Sequence, residues 1–194
     1  MQELRNLTDA IWINVLMVVT SIPIVTVGAA ITAAHDANRR ALQGEAGGVT
    51  RNYFKAFRAN FAKSTALWAV FGITGAALAY AWVVLQITPL LVPKIGLTLV
   101  WIIGFEWVFA LQARFENAVG RTLANAFVFG ISHILLTVGM IVLDAIWVGL
   151  LAACWFLFPQ GLFLLMIMGY GTMILCHIPL LERGFAQYLK SGEE

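Results

Sequence analysis

Residues 127–158 read FVFGISHILLTVGMIVLDAIWVGLLAACWFLF. The stretch contains no Lys or Arg, and Asp144 is its only carboxylate. A hydrocarbon layer about 30 Å thick is crossed by about 20 apolar residues of helix. A run this long and apolar is therefore read as membrane-embedded rather than as the core of a soluble domain. Working outward, four further apolar runs cover residues 10–34, 65–85, 96–112 and 162–181. The chain is 61% hydrophobic and 11% charged, less than half the charge of an ordinary globular domain. The fold class read from the sequence is an all-α membrane protein. It is a bundle of about five transmembrane helices, with residues 1–194 forming a single integral membrane domain.

The cations are distributed unevenly. Arg39, Arg40, Arg51, Lys55, Arg58 and Lys63 lie between the first and second runs, Arg114 and Arg121 between the third and fourth, and Arg183 and Lys190 after the fifth. Only Arg5 and Lys94 fall on the other side of a five-span arrangement. By the positive-inside rule the N-terminus is expected outside and the C-terminus in the cytoplasm. Pro23 interrupts the first run, and a kink or break is expected there.

Residues 50–63 are patterned differently. Phe54, Phe57 and Phe61 recur on one helical face, and Arg51, Lys55 and Arg58 on another. This predicts a cytoplasmic interfacial amphipathic helix, suited to membrane lipids or to docking a partner protein. Binding to nucleic acid is not expected, because the patch is small.

Ionisable side chains within apolar helices are costly and so informative. Glu106, Asp144 and His177 lie in the third, fourth and fifth runs, and similar depths are expected for all three. They suit either interhelical hydrogen bonding or a proton- or solute-handling site. No metal site, cofactor or catalytic residue is expected, and no hydrolase or phosphate-loop signature occurs. Cys154 and Cys176 have no ligand spacing.

One ordered set of motifs is more specific. Asn14-Val15-Leu16 precedes Ile22-Pro23-Ile24-Val25-Thr26-Val27-Gly28, which leads to an arginine pair and a Gly-Glu turn. Tyr53-Phe54-Lys55-Ala56-Phe57-Arg58-Ala59-Asn60-Phe61 and Arg114-Phe115-Glu116-Asn117 follow. This order resembles the YesL-like family of bacterial integral membrane proteins. The resemblance implies a multi-pass protein of the bacterial cell membrane with no established activity. Genes of that family typically lie beside those of carbohydrate ABC importers. It therefore implies a non-enzymatic accessory component that contacts carbohydrate ABC transporter permease subunits through Arg51, Phe54, Lys55, Phe57, Arg58 and Phe61. A stand-alone small-solute carrier using Glu106, Asp144 and His177 is the alternative expectation.

Overall fold

The computed structural model describes residues 2–45 and 47–190. Among the described residues it contains seven α-helices and no strand. They are α1 (Gln2–Thr20), α2 (Val27–Leu42), α3 (Val49–Val83), α4 (Leu91–Arg114), α5 (Val119–Ser132), α6 (Ile134–Leu157) and α7 (Gly161–Lys190). Among the described residues, four helical segments are long and apolar enough to cross a membrane: Val49–Val83, Thr88–Arg114, Ile134–Leu157 and Gly161–Ala186. Five spans were expected from the sequence, and the difference arises at the first apolar run.

Residues 10–34 do not form one helix. α1 ends at Thr20, a short 3-10 turn covers Ile24–Thr26, and α2 runs back antiparallel to α1. Pro23 supplies no N–H, and the Thr26 hydroxyl donates to the carbonyls of Thr20 and Pro23, so the turn satisfies its own acceptors. Ile22, Ile24 and Val25 are exposed at the tip. The tip packs beside Trp68, Gly72 and Ile73 of α3, and α3 continues to Val83. Ten residues of helix rise about 15 Å, so the hairpin stops well short of the far end of the bundle. Arg5 and Asp9 of α1 border the same cleft as Gly44, Glu45 and Gly48 of the α2–α3 turn. The start of α1 and that turn therefore share one end of the molecule, whereas a spanning first run would have set them at opposite ends.

α2 is the centre of the bundle. Every residue from Gly28 to Asn38 is buried, and the helix touches α1, α3, α4 and α7. Its alanine-rich sequence permits this close approach. At Gly28 a Cβ atom would sit 2.6 Å from Trp68 Cβ and closer still to the Ser64 carbonyl, so no larger residue fits.

The expected interfacial helix is not a separate element. Residues 50–63 continue without interruption into the following span as α3, 35 residues long. At 1.5 Å per residue this is about 52 Å, well beyond a hydrocarbon layer of about 30 Å. Its inward stripe is Tyr53, Ala56, Ser64, Leu67 and Phe71; the helix packs on α2 and α4, and Phe71 meets Trp101, Phe105 and Phe109 of α4. The long run 127–158 is also divided. His133 adopts φ −114° and ψ 47°, which ends α5 and starts α6. Thr137 Oγ1 donates to the freed carbonyl of Gly130 (2.8 Å) and accepts from the buried Trp107 indole (2.9 Å).

Candidate functional site

Helices α4, α6 and α7 carry Glu106, Asp144 and His177 to one place. One donor atom from each lies within 4.8 Å of the other two. His177 Nε2 stands 3.2 Å from Asp144 Oδ1, at ion-pair distance but without hydrogen-bond alignment. Glu106 and His177 are buried, with 6% and 1% of their surface exposed, and Asp144 is half-buried. Tyr170 meets the His177 ring edge-on, with centroids 6.4 Å apart. The three residues stand on separate helices, as the apolar runs implied, and their side chains converge between those helices.

The same region contains a break that the apolar pattern does not reveal. Gly169 takes φ +48° and ψ −174°, a left-handed position open to glycine, and it interrupts α7. The Asn14 amide enters this gap from α1. Its nitrogen donates to the carbonyls of Met166 (3.1 Å) and Ile167 (2.8 Å), and its oxygen accepts from Gly171 N–H (3.1 Å). Asn38 of α2 donates to the Gly171 carbonyl (3.1 Å). Irregular backbone at this depth persists because side chains replace the missing helical bonds. The glycine pair in Gly169-Tyr170-Gly171, within an apolar run, was the available signal, and Asn14 was its unrecognised partner.

The basic end of the bundle holds a second polar feature. A cleft of about 530 Å³ is lined by Arg39, Arg40, Lys55, Lys63 and Arg114 together with Asp36, Asn60, Gln112 and Glu116. Asp36 is buried, and its two oxygens accept from Arg39 (2.8 Å) and Arg40 (2.7 Å). Glu45 also accepts from Arg40 (2.7 Å). The hydrogen bond from Arg40 to Asp36 lifts the Arg40 guanidinium further above its already high range. The floor of the cleft is tied across helices. Gln112 donates to Asn60 (3.0 Å) and accepts from Thr122 (3.1 Å), which joins α3, α4 and α5.

Of the six residues expected to dock a partner, Arg51, Phe54, Lys55, Arg58 and Phe61 are exposed on the first turns of α3. Phe57 is half-buried, stacked on Tyr53 (6.3 Å) and edge-on to Phe61 (5.7 Å). Further along α3, an apolar groove of about 430 Å³ opens between α3, α4 and α5. Phe71, Trp101 and Phe127 line it, with Leu78, Leu97 and Val100.

Residues 10–82 match the family described as "Protein of unknown function, DUF624". The match covers the Asn14, Pro23–Gly28 and Phe54–Phe61 motifs and stops before Arg114-Phe115. It is consistent with the resemblance to YesL-like proteins. No curated protein and no solved structure matches the chain.

Proposed function

We propose that this chain is a non-enzymatic accessory subunit of a bacterial cell membrane, docked against the permease subunits of a carbohydrate ABC importer. The observation that carries the proposal is the form of the bundle. Its centre is filled by α2, while an aromatic-lined groove is left open on the outer surface between α3, α4 and α5. A groove of this kind suits an apolar helix of a partner, since packing rather than water exclusion drives association within lipid. Arg51, Lys55 and Arg58 are exposed on the first turns of the same helix, where a partner's polar segments beyond the hydrocarbon would meet them.

In this reading α3, α4, α6 and α7 span the membrane, and α1–α2 is a re-entrant hairpin inserted from the cytoplasmic side. Every Lys and Arg except Lys94 then lies at the cytoplasmic end, a stronger asymmetry than five spans allow. Lys94 is itself covered, donating to the Leu85 carbonyl (2.9 Å). Both termini are cytoplasmic.

Affinity purification in mild detergent, with mass spectrometry of the co-purifying proteins, tests the docking. Enrichment of carbohydrate importer permeases is expected, and Phe57→Leu or Arg58→Glu should reduce it severalfold without lowering the amount of the chain in the membrane. Recovery of the wild-type chain alone would contradict the proposal.

A second reading, a small-solute carrier, is favoured by the convergence of Glu106, Asp144 and His177. It requires that Glu106→Gln abolish sugar-dependent growth while the protein still inserts. Normal growth of that variant would exclude it.

A further inference from the structure

Each of the three residues that converge from α4, α6 and α7 carries one atom of the same kind. Glu106 Oε2, Asp144 Oδ1 and His177 Nε2 are each shielded from solvent, and none has an aligned hydrogen-bond partner among the described residues. Native proteins seldom leave such atoms unmatched. Here they belong to three residues whose ligand atoms lie within 4.8 Å of one another, and two of the three are carboxylates that repel when both are ionised. Glu106 and His177 are each more than nine-tenths buried.

A cation placed among them removes both costs together. It supplies the missing partner to each atom and offsets the like charges in a region of low dielectric. We propose that Glu106, Asp144 and His177 bind one divalent first-row transition-metal ion, of the Zn²⁺ or Mn²⁺ class.

The donor set determines that class. One imidazole nitrogen and two carboxylate oxygens suit borderline ions, whereas Ca²⁺ takes six to eight oxygens and Mg²⁺ favours an oxygen shell rich in water. Cys176 is adjacent to His177 in sequence but is exposed, and neighbouring residues on a helix do not share a face. The site therefore lacks thiolate. Metal–ligand bonds of about 2.0–2.2 Å bring ligand atoms to about 3.5 Å from one another. Asp144 Oδ1 and His177 Nε2, 3.2 Å apart, already match this, and the other separations, at most 4.8 Å, close by side-chain torsions. Three protein ligands leave a coordination position open, as in sites that handle water or substrate rather than structural sites, which take four. Asp144 marks the open side.

No metal was expected from the sequence, because a site would need a third or fourth converging ligand. The assignment rests on their convergence and on the unmatched atoms. It is independent of the docking surface and of any transport, because it is measured on the purified chain.

The experiment uses the full chain in mild detergent, stripped with EDTA and equilibrated with Co²⁺ as a visible probe, then titrated with Zn²⁺. Elemental analysis should give about one ion per chain, a Co²⁺ d–d band should appear, and Zn²⁺ should displace it. Asp144→Asn and His177→Gln should each weaken binding more than tenfold. Mg²⁺ at the same concentration should displace nothing. Asp144→Asn is conservative at a half-buried position, so it provides the decision if His177→Gln does not fold. Wild-type uptake far below one ion per chain, undiminished affinity in the folded Asp144→Asn protein, or displacement by Mg²⁺ would each overturn the assignment.

Discussion

Asn14→Leu tests whether α1 is held to α7 through the gap at Gly169. Leucine keeps the size of the side chain and removes all three of its hydrogen bonds, to Met166, Ile167 and Gly171. Asn14 is 1% exposed, so water does not replace it. The Gly171 N–H is then left without a partner, at a cost of about 1–3 kcal/mol. The two carbonyls add less, because an acceptor with two lone pairs tolerates the loss better and polar contacts in membrane proteins average about 0.6 kcal/mol. The sum is about 2–4 kcal/mol. For a chain of this length each kcal/mol lowers Tm by about 2–4 °C, which gives a fall of about 5–15 °C. Seven tryptophans make intrinsic fluorescence during a thermal ramp in detergent a direct readout. Asn14→Asp should be worse than Asn14→Leu, since it keeps the acceptor but buries a charge among carbonyls. A Tm within 1 °C of wild type for Asn14→Leu would refute the bridging role.

Gly28→Val and Asp36→Ala probe α2, and Gly96→Ala on α4 is their control. Gly28→Val places a branched side chain where even a Cβ atom lies 2.6 Å from Trp68, so α2 and α3 must separate. A loss of at least about 1–3 kcal/mol is expected, seen as a lower Tm or aggregation on gel filtration. Gly96→Ala meets nothing within 4 Å and should leave Tm unchanged. Asp36→Ala removes the buried carboxylate and leaves Glu45 as the one anion paired with Arg39 and Arg40, at a cost of about 1.5–3 kcal/mol for the lost charge-assisted hydrogen bonds. The folded-state value of Arg40 is raised, so its share of that stability is fully present below the guanidinium range. That share should stay flat across about pH 6–9 in denaturation measurements, and a steep slope traced to Arg40 would contradict it.

The membrane class was legible because four long apolar helices need nothing beyond length and composition to be seen. Glu106, Asp144 and His177 were legible for a related reason, the cost of an ionisable group in an apolar run. Their convergence was not, because contacts between helices leave no spacing in the chain. Pro23 correctly marked an interruption, but a kinked span and a hairpin differ only in the direction taken afterwards. That direction follows from the buried, alanine-rich surface of α2, which must pack on several neighbours at once. The division at His133 was missed because hydropathy runs through it unchanged, and the Thr137–Gly130 bond that tolerates it is local. Residues 50–63 carry their aromatic and basic pattern within the longer helix α3, and the amphipathic period gave no sign of where the helix ended.

The placement of α1 is the point on which the proposed architecture depends most. Single cysteines at Leu4, Gly47 and Gln86, introduced with Cys154 and Cys176 replaced, can be probed in intact cells with a membrane-impermeant thiol reagent. The re-entrant hairpin predicts that Gln86→Cys is labelled, while Leu4→Cys and Gly47→Cys react only after the membrane is opened. Labelling of Leu4→Cys in intact cells, with Gly47→Cys protected, would show that the first apolar run crosses the membrane and would contradict the four-span account.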